Sequence, residues 1–180
     1  ELPLFIRGRF GKGSKTAFRA ETHEDLEYIL REIKDPVIQE YIEADEYTID
    51  LFVDFEGNII SVVPRKRLQL FGGESYVGIT SKNWMLINEA IRLAKALKLT
   101  GHNTIQCFLK DNEVLFIEVN PRYGGGASLG FASGAFTPRY LVQIISGKSP
   151  VPCIGEFRDR YLMLRYTDDV FLEEGEVRSN

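Results

Sequence analysis

The sequence predicts an α+β protein whose sheets are largely antiparallel and flanked by helices. Three observations carry this expectation. Strand-like runs come in adjacent pairs around short polar turns, before and after Glu56-Gly57-Asn58 and before and after Asp111-Asn112-Glu113. Two stretches, starting at Thr22 and at Lys82, repeat their apolar residues at helical spacing instead. The strands do not alternate singly with helices, as a parallel βαβ sheet requires.

The elements follow in order. Leu2 to Ile6 reads as a strand ending at Arg7. Gly8 to Arg19 is rich in glycine and cations and reads as a loop. Thr22 opens a helix with Asp25 three residues on, the spacing of a capping box. Leu26, Ile29, Leu30 and Ile33 form its apolar stripe, and Pro36 stops it. Val37 to Ile42 is a short strand. From Glu46, the residues Tyr47, Ile49, Leu51, Val53 and Phe55 alternate with Thr48, Asp50 and Asp54, which predicts a half-buried strand. Ile59 to Val63 returns as its partner. Pro64 to Thr80, PRKRLQLFGGESYVGIT, reads as a loop rich in cations and glycine. Lys82 to Leu99 is helical, with Trp84, Ile87, Ile91 and Ala94 near one face and Gly101 as a stop signal. Thr104 to Lys110 and Val114 to Val119 form a hairpin around a three-residue loop. Pro138 to Ile145 reads as a helix, and a strand follows near Tyr161 to Tyr166.

At 180 residues the chain can bury a proper core. Its 44% hydrophobic and 27% charged residues are those of a water-soluble protein, and a net charge of −4 provides no general attraction for nucleic acid or anionic membranes. No apolar run is long enough to span a bilayer. Two cysteines, Cys107 and Cys153, make no disulfide framework. These features place the protein in the cytoplasm, with no nucleic acid and no membrane among its partners. The chain opens in mid-strand without Met and is expected to be a piece of a longer protein.

The stretch FIEVNPRYGGG, Phe116 to Gly126, carries the sharpest question. Glu118 sits in an otherwise apolar strand, and a buried carboxylate is tolerated when paired, hydrogen-bonded or bound to a metal. With a three-residue loop, Gln106 lies opposite Glu118, and Asn120 shares that face. These are oxygen donors with no histidine or cysteine, a set that suits a hard cation such as magnesium. A purely structural triplet of hydrogen bonds fits the spacing equally well. The loop GRFGKGSK after Arg7 could hold an anion with backbone N–H groups and cations, or could be a basic surface turn; it is not a Walker pattern. QEYIEADE, Gln39 to Glu46, reads equally as strand, turn and strand.

Order and spacing together narrow these options. A strand ending in a cation, a glycine-rich loop, a helix, V-I-Q-E-Y-I-(x)3-E-Y-T-I-D and then Q-(x)11-E-x-N-P-R resembles the ATP-grasp superfamily, over roughly Leu4 to Ser149. The resemblance is closest to the large-subunit branch of the carbamoyl phosphate synthetases. It implies the ATP-grasp fold and a ligase in which ATP phosphorylates a small carboxylate, giving an acyl phosphate for attack by an amine or ammonia. It implies ATP and Mg2+ (or Mn2+) as cofactors. Arg7 matches the cation on the α- and β-phosphates, and Gly11, Gly13, Ser14 and Lys15 fall in the phosphate-covering loop. Gln39, Glu40, Tyr41 and Ile42 match the hinge, with main-chain groups of Gln39 and Ile42 on adenine. Glu46 matches the acid on the ribose hydroxyls. Gln106, Glu118 and Asn120 match the metal ligands, and Arg122 the arginine that stabilises the transferred phosphoryl group. Arg65, Arg67 and Glu74 fall in a region that often touches the acceptor.

The resemblance further implies a division into a smaller subdomain, residues 1–36, and a larger one, residues 37–180. Family members carry an N-terminal domain ahead of the point where this chain begins, so the chain alone is expected to be inactive; a homodimer is allowed. Departures are Gln106, where synthetases usually have an acid although the carbamoyl phosphate branch often has glutamine, and Gln39 in the hinge, where many relatives have an acid. An amino-acid ligase and a non-catalytic nucleotide-binding or interaction module are the competing interpretations. His23 and His102 are expected to be bystanders.

Overall fold

The computed structural model describes residues 1–10 and 17–173. The expected phosphate-loop residues Gly11, Gly13, Ser14 and Lys15 lie outside the described residues.

The smaller of two antiparallel sheets contains β1 (Leu4–Gly8), β2 (Ala17–Ala20) and β3 (Pro36–Glu40), in the order β2-β1-β3. Helix α1 (His23–Glu32) joins β2 to β3. Its capping box forms as expected. Thr22 Oγ1 accepts from the Asp25 N–H at 3.1 Å, and the Asp25 carboxylate accepts from the Thr22 N–H at 2.9 Å. Ile29 packs on Ile6 and Ala20, with Leu26 and Ile33 beside it. Alternation then puts Arg7, Val37 and Gln39 on the opposite side of the sheet. β2 lies in what reads as loop; with four residues it is too short to display a period. β3 pairs with β1 along its whole length, so a division after residue 36 falls at the start of this strand.

The larger sheet has the order β8-β7-β4-β5-β6-β9. Its strands are β4 (Asp45–Val53), β5 (Ile59–Phe71), β6 (Glu74–Thr80), β7 (Gly101–Lys110), β8 (Glu113–Asn120) and β9 (Leu162–Leu164). Helix α2 (Trp84–Leu97) connects β6 to β7, and α3 (Ala127–Ser133) and α4 (Thr137–Ile145) follow β8. One face is apolar. Tyr47, Ile49, Leu51 and Val53 from β4 and Ile105 and Cys107 from β7 meet Leu86, Ile87, Ala90 and Ala94 of α2. Cys107 is a core residue, its thiol pushed up to about 12, chiefly by burial.

The other face is polar, and it explains three departures from the sequence reading. First, β4 is buried on both faces, not half-buried. Phe52 meets the ring of Tyr140 on α4, and Asp50 lies against Gly130 of α3, so helices cover this face too. Second, the stretch from Pro64 to Thr80 is not a loop: β5 runs on to Phe71 and β6 returns from Glu74. The inward positions there hold Arg65 and Arg67 in place of apolar residues, which hides the alternation. Third, α3 forms directly after the glycines, where the sequence shows no helical stripe.

At the centre of the polar face, the Arg65 guanidinium grips Asp50 with Nε at 2.6 Å from Oδ2 and Nη2 at 3.0 Å from Oδ1. Arg65 is 1% exposed and Asp50 2%. Burial pushes the Asp50 carboxyl up, but the charge and hydrogen bonds of Arg65, with His102 beside it, outweigh burial and hold it below the usual range. His102, expected as a bystander, is buried here. Its Nε2 is 3.7 Å from Asp50 and its Nδ1 3.0 Å from Thr137 Oγ1.

The β7–β8 hairpin corrects a further expectation. Its turn has two residues, Asp111 and Asn112, both left-handed at φ 48° and 64°, and Lys110 pairs with Glu113. A regular ladder from that turn would set Gln106 opposite Ile117. The register shifts between Gln106 and Cys107, however, so Cys107 pairs with Phe116 while Gln106 pairs with Glu118. Ile117 is the extra residue of a β-bulge. The expected pairing exists, reached through a shorter turn plus a bulge.

Removing one partner of the buried pair leaves a charge uncompensated. Asp50→Ala should cost about 3–5 kcal/mol, read as a lower urea midpoint at neutral pH. Because the folded-state pKa of Asp50 is depressed, its contribution is complete above about pH 4 and is lost as pH falls through the lower folded-state value. The wild-type midpoint should therefore fall more steeply below pH 4 than that of Asp50→Ala.

Candidate functional site

The polar face opens into a cleft at the end of β4, β7 and β8. Strand pairing sets Thr48 opposite both Arg65 and Gln106, Gln106 opposite Glu118, and Thr104 opposite Asn120. Each sits at an inward position of its strand, so the fold gathers them without help from loops. Gln106 Nε2 and Asn120 Nδ2 both donate to Glu118 Oε1, the latter at 2.7 Å. The expected triplet thus converges on one carboxylate.

Glu118 is exposed rather than buried. β8 is an edge strand of the sheet, and its cleft side carries no covering layer at this point. The cost of a buried carboxylate is therefore not what demands partners for Glu118. The residue is held by the amides of Gln106 and Asn120, which line a cleft of about 110 Å³ together with Arg65, Arg67 and Arg122.

Arg122 is placed by the turn that ends β8. Its N–H donates to the Asn120 carbonyl at 2.8 Å, and its own carbonyl accepts from Thr104 Oγ1 at 2.9 Å. The next residue, Tyr123, stacks on His102 with ring centroids 4.1 Å apart. Arg122 is exposed and lines the cleft, and its Nη1 donates to the Tyr123 carbonyl at 3.3 Å.

Glu46, on β4, is joined to this group by a residue to which the sequence assigns no role. Arg67 Nη1 donates to Glu46 Oε1 and, at 2.7 Å, to Gln106 Oε1, while Nη2 donates to the Gly73 carbonyl at 2.6 Å. Glu74, also without an assigned role, pairs with Arg165 at 3.0 Å. The signal for these residues lies in pairing. Asp50 sits opposite Val63, so Arg65 is its diagonal neighbour on the same face.

The three glycines after Tyr123 owe their identity to these neighbours. A Cβ at Gly124 would come within 2.9 Å of Thr104, one at Gly125 within 2.7 Å of the Glu74 carboxylate, and one at Gly126 within 2.5 Å of Arg65 Nη1.

In the smaller sheet, Arg7 Nε donates to Gln39 Oε1 at 3.3 Å. Glu40 closes β3, and the Tyr41 N–H donates to the Pro3 carbonyl at 3.3 Å. The Tyr41 ring lies under the Arg19 guanidinium, 4.2 Å from its centroid. Ile42 lies in the connection to β4.

Residues 32–165 match the family described as ATP-grasp in the biosynthetic pathway with Ter operon. The chain belongs to the ATP-grasp family. It is similar to carbamoyl phosphate synthase large chains, being 30% identical over 146 residues to that of Pyrococcus furiosus, which covers 71% of this chain and 14% of that protein. The fold matches a biotin carboxylase–ATP-analogue complex from Campylobacter jejuni with a TM-score of 0.70 at 19% identity, over 83% of this chain and 38% of that one. It also matches the biotin carboxylase domain dimer of Hydrogenobacter thermophilus 2-oxoglutarate carboxylase, a complex with MgADP, ADP and bicarbonate. There the TM-score is 0.71 at 17% identity, over 90% and 40% of the two chains. The chain therefore spans well under half the length of these relatives. No helix among the described residues is long and apolar enough to cross a membrane.

Two of the three crowded glycines should respond differently to alanine. At Gly126 the obstacle is a buried guanidinium locked on Asp50, so Gly126→Ala should cost about 1–3 kcal/mol. At Gly125 the obstacle is an exposed, movable carboxylate, so Gly125→Ala should stay within about 0.5 kcal/mol of wild type. Denaturation midpoints of both variants check the contrast.

Proposed function

We propose that this chain forms the nucleotide- and metal-holding part of an ATP-dependent ligase that activates a small carboxylate. The observation that carries the reading is the convergence of Gln106, Glu118 and Asn120 on one face of the β7–β8 hairpin, with Arg122 at its end and Glu46 joined through Arg67. With their amides turned to present oxygen, Gln106 and Asn120 would join Glu118 in an all-oxygen set that suits Mg2+ (or Mn2+). Arg7 and Gln39 share the side of the smaller sheet away from α1, which fits a nucleotide held between two sheets, the smaller and larger subdomains of the expected division.

In this reading, main-chain groups of Gln39 and Ile42 meet the adenine edge, with Glu40 and Tyr41 completing the hinge, and Glu46 accepts from the ribose hydroxyls. Arg7 offsets charge on the α- and β-phosphates, beneath a loop containing Gly11, Gly13, Ser14 and Lys15. Gln106, Glu118 and Asn120 hold the metal ion, which supplies charge neutralisation at the phosphates. Arg122 stabilises the phosphoryl group as a carboxylate oxygen bonds to the γ-phosphorus and ADP leaves. An amine or ammonia then attacks the acyl phosphate and expels phosphate. No side-chain nucleophile is needed; the work is positioning and electrostatics. The carboxylate, the amine and the N-terminal domain that completes the acceptor site belong to the longer protein, whose setting is cytoplasmic and whose self-association follows that of dimeric relatives.

Two measurements test this. ATP or ADP with Mg2+ at about 100 times its Kd should stabilise the folded chain by about 2.7 kcal/mol, read as a raised melting temperature, with GTP doing less. No shift with any nucleotide in a folded chain would favour an interaction module. In the full-length protein, carboxylate-dependent phosphate release should fall at least a hundredfold in Glu118→Gln while the melting temperature without metal changes little, since Glu118 is exposed. A panel of carboxylates in the same assay separates bicarbonate-type acceptors from amino acids.

A further inference from the structure

Arg67 holds a position that conflicts with the metal role of its neighbour. Its side chain is only 6% exposed, and one nitrogen serves both Glu46 and Gln106. Gln106 has a single side-chain oxygen, and that oxygen accepts from Arg67 at 2.7 Å. Its amide nitrogen meanwhile donates to Glu118. To present oxygen to a cation beside Glu118, the Gln106 amide has to turn over. That turn brings its NH2 group against Arg67 Nη1, donor against donor. In its present orientation the amide turns nitrogen, not oxygen, toward Glu118, so the Arg67 contact opposes metal ligation by Gln106 beside Glu118. A second observation points the same way: Arg67 Nε is buried with no acceptor among the described residues, and a buried N–H without a partner is costly. The guanidinium has something to gain elsewhere.

We propose that Arg67 is the internal counter-cation of the ligand site. In the nucleotide-free protein its guanidinium occupies the oxygens of Glu46 and Gln106 and keeps those side chains in line with Glu118. When a divalent cation and nucleotide arrive, they displace it. Its nearest new acceptors are anionic groups of the ligand in the same cleft, which Arg67 lines together with Arg65 and Arg122. Arg67 thus acts through Glu46 and Gln106 as a positioning residue, and entry of the metal releases a second cation for the phosphates. The proposal rests on the metal reading of Gln106, Glu118 and Asn120.

The test uses Mn2+ as probe, titrated into the full-length protein without nucleotide and followed by the loss of its free electron spin resonance signal. Arg67→Met, which keeps the length and removes the charge, should bind Mn2+ at least fivefold more tightly than wild type. Arg67→Gln should do the same, and serves if the Met variant does not fold. Turnover should fall in both while Mn2+ affinity rises, a divergence that a merely structural residue does not produce. If Mn2+ binds and Glu118→Gln abolishes that binding, but the two Arg67 variants bind it no more tightly than wild type, the counter-cation role is overturned and the metal site stands. If Glu118→Gln leaves Mn2+ binding unchanged, the metal reading fails, and the role of Arg67 fails with it.

Discussion

The pairing of Asp50 with Arg65 is the constraint around which the larger sheet is arranged. It buries two full charges at the middle of the polar face, between strands whose other face is the hydrocarbon core. Such a pair has little net stabilising effect against an apolar alternative, but it cannot be dismantled singly. Its geometry dictates what surrounds it. Gly126 and Gly130 approach so closely that a side chain at either would strike the pair. His102 fills the remaining side and offers its ring to Tyr123, the residue after Arg122. The placement of the candidate phosphoryl-binding arginine thus traces back, through a stacked ring and a glycine turn, to a buried salt bridge.

The larger sheet divides its labour by face. α2 seals one face with aliphatic packing of the sort that tolerates conservative exchange. The other face runs from a helix-covered end, near Phe52 and Tyr140, to an open end at Glu46, Gln106 and Glu118. Charge is admitted progressively along it: a fully buried pair, then Arg67 with its side chain 6% exposed, then an exposed carboxylate. The site is a continuation of the sheet, and its side chains inherit the rigidity of paired strands.

Much of this was legible in the residues. The capping box at Thr22, the stripe of α2 and the shared face of Glu118 and Asn120 follow from local chemistry or period, whereas Gln106 joins that face through a bulge in place of the expected three-residue loop. What was not legible depends on contacts remote in sequence. β5 hides its inward positions behind Arg65 and Arg67, because their acidic partners come from β4 and cannot be read from β5 alone. His102 looked like a residue beyond a helix stop because its partners, Asp50, Tyr123 and Thr137, lie far away in the chain. Glu118 looked buried because its strand is apolar, yet an edge strand beside a cleft can be both.

The bulge at Ile117 has a consequence for how such hairpins diverge. What the site requires is that Gln106 face Glu118; the eleven residues between them can be spent in more than one way. Here they form a tight turn plus one looped-out residue. A hairpin with one more residue in its turn and a regular ladder would bring the same two side chains face to face. A one-residue insertion at the tip can thus be absorbed by a second slip in register, and a one-residue deletion by annealing the ladder. The pairing of the two side chains, and not the length of either turn or ladder, is what the geometry requires.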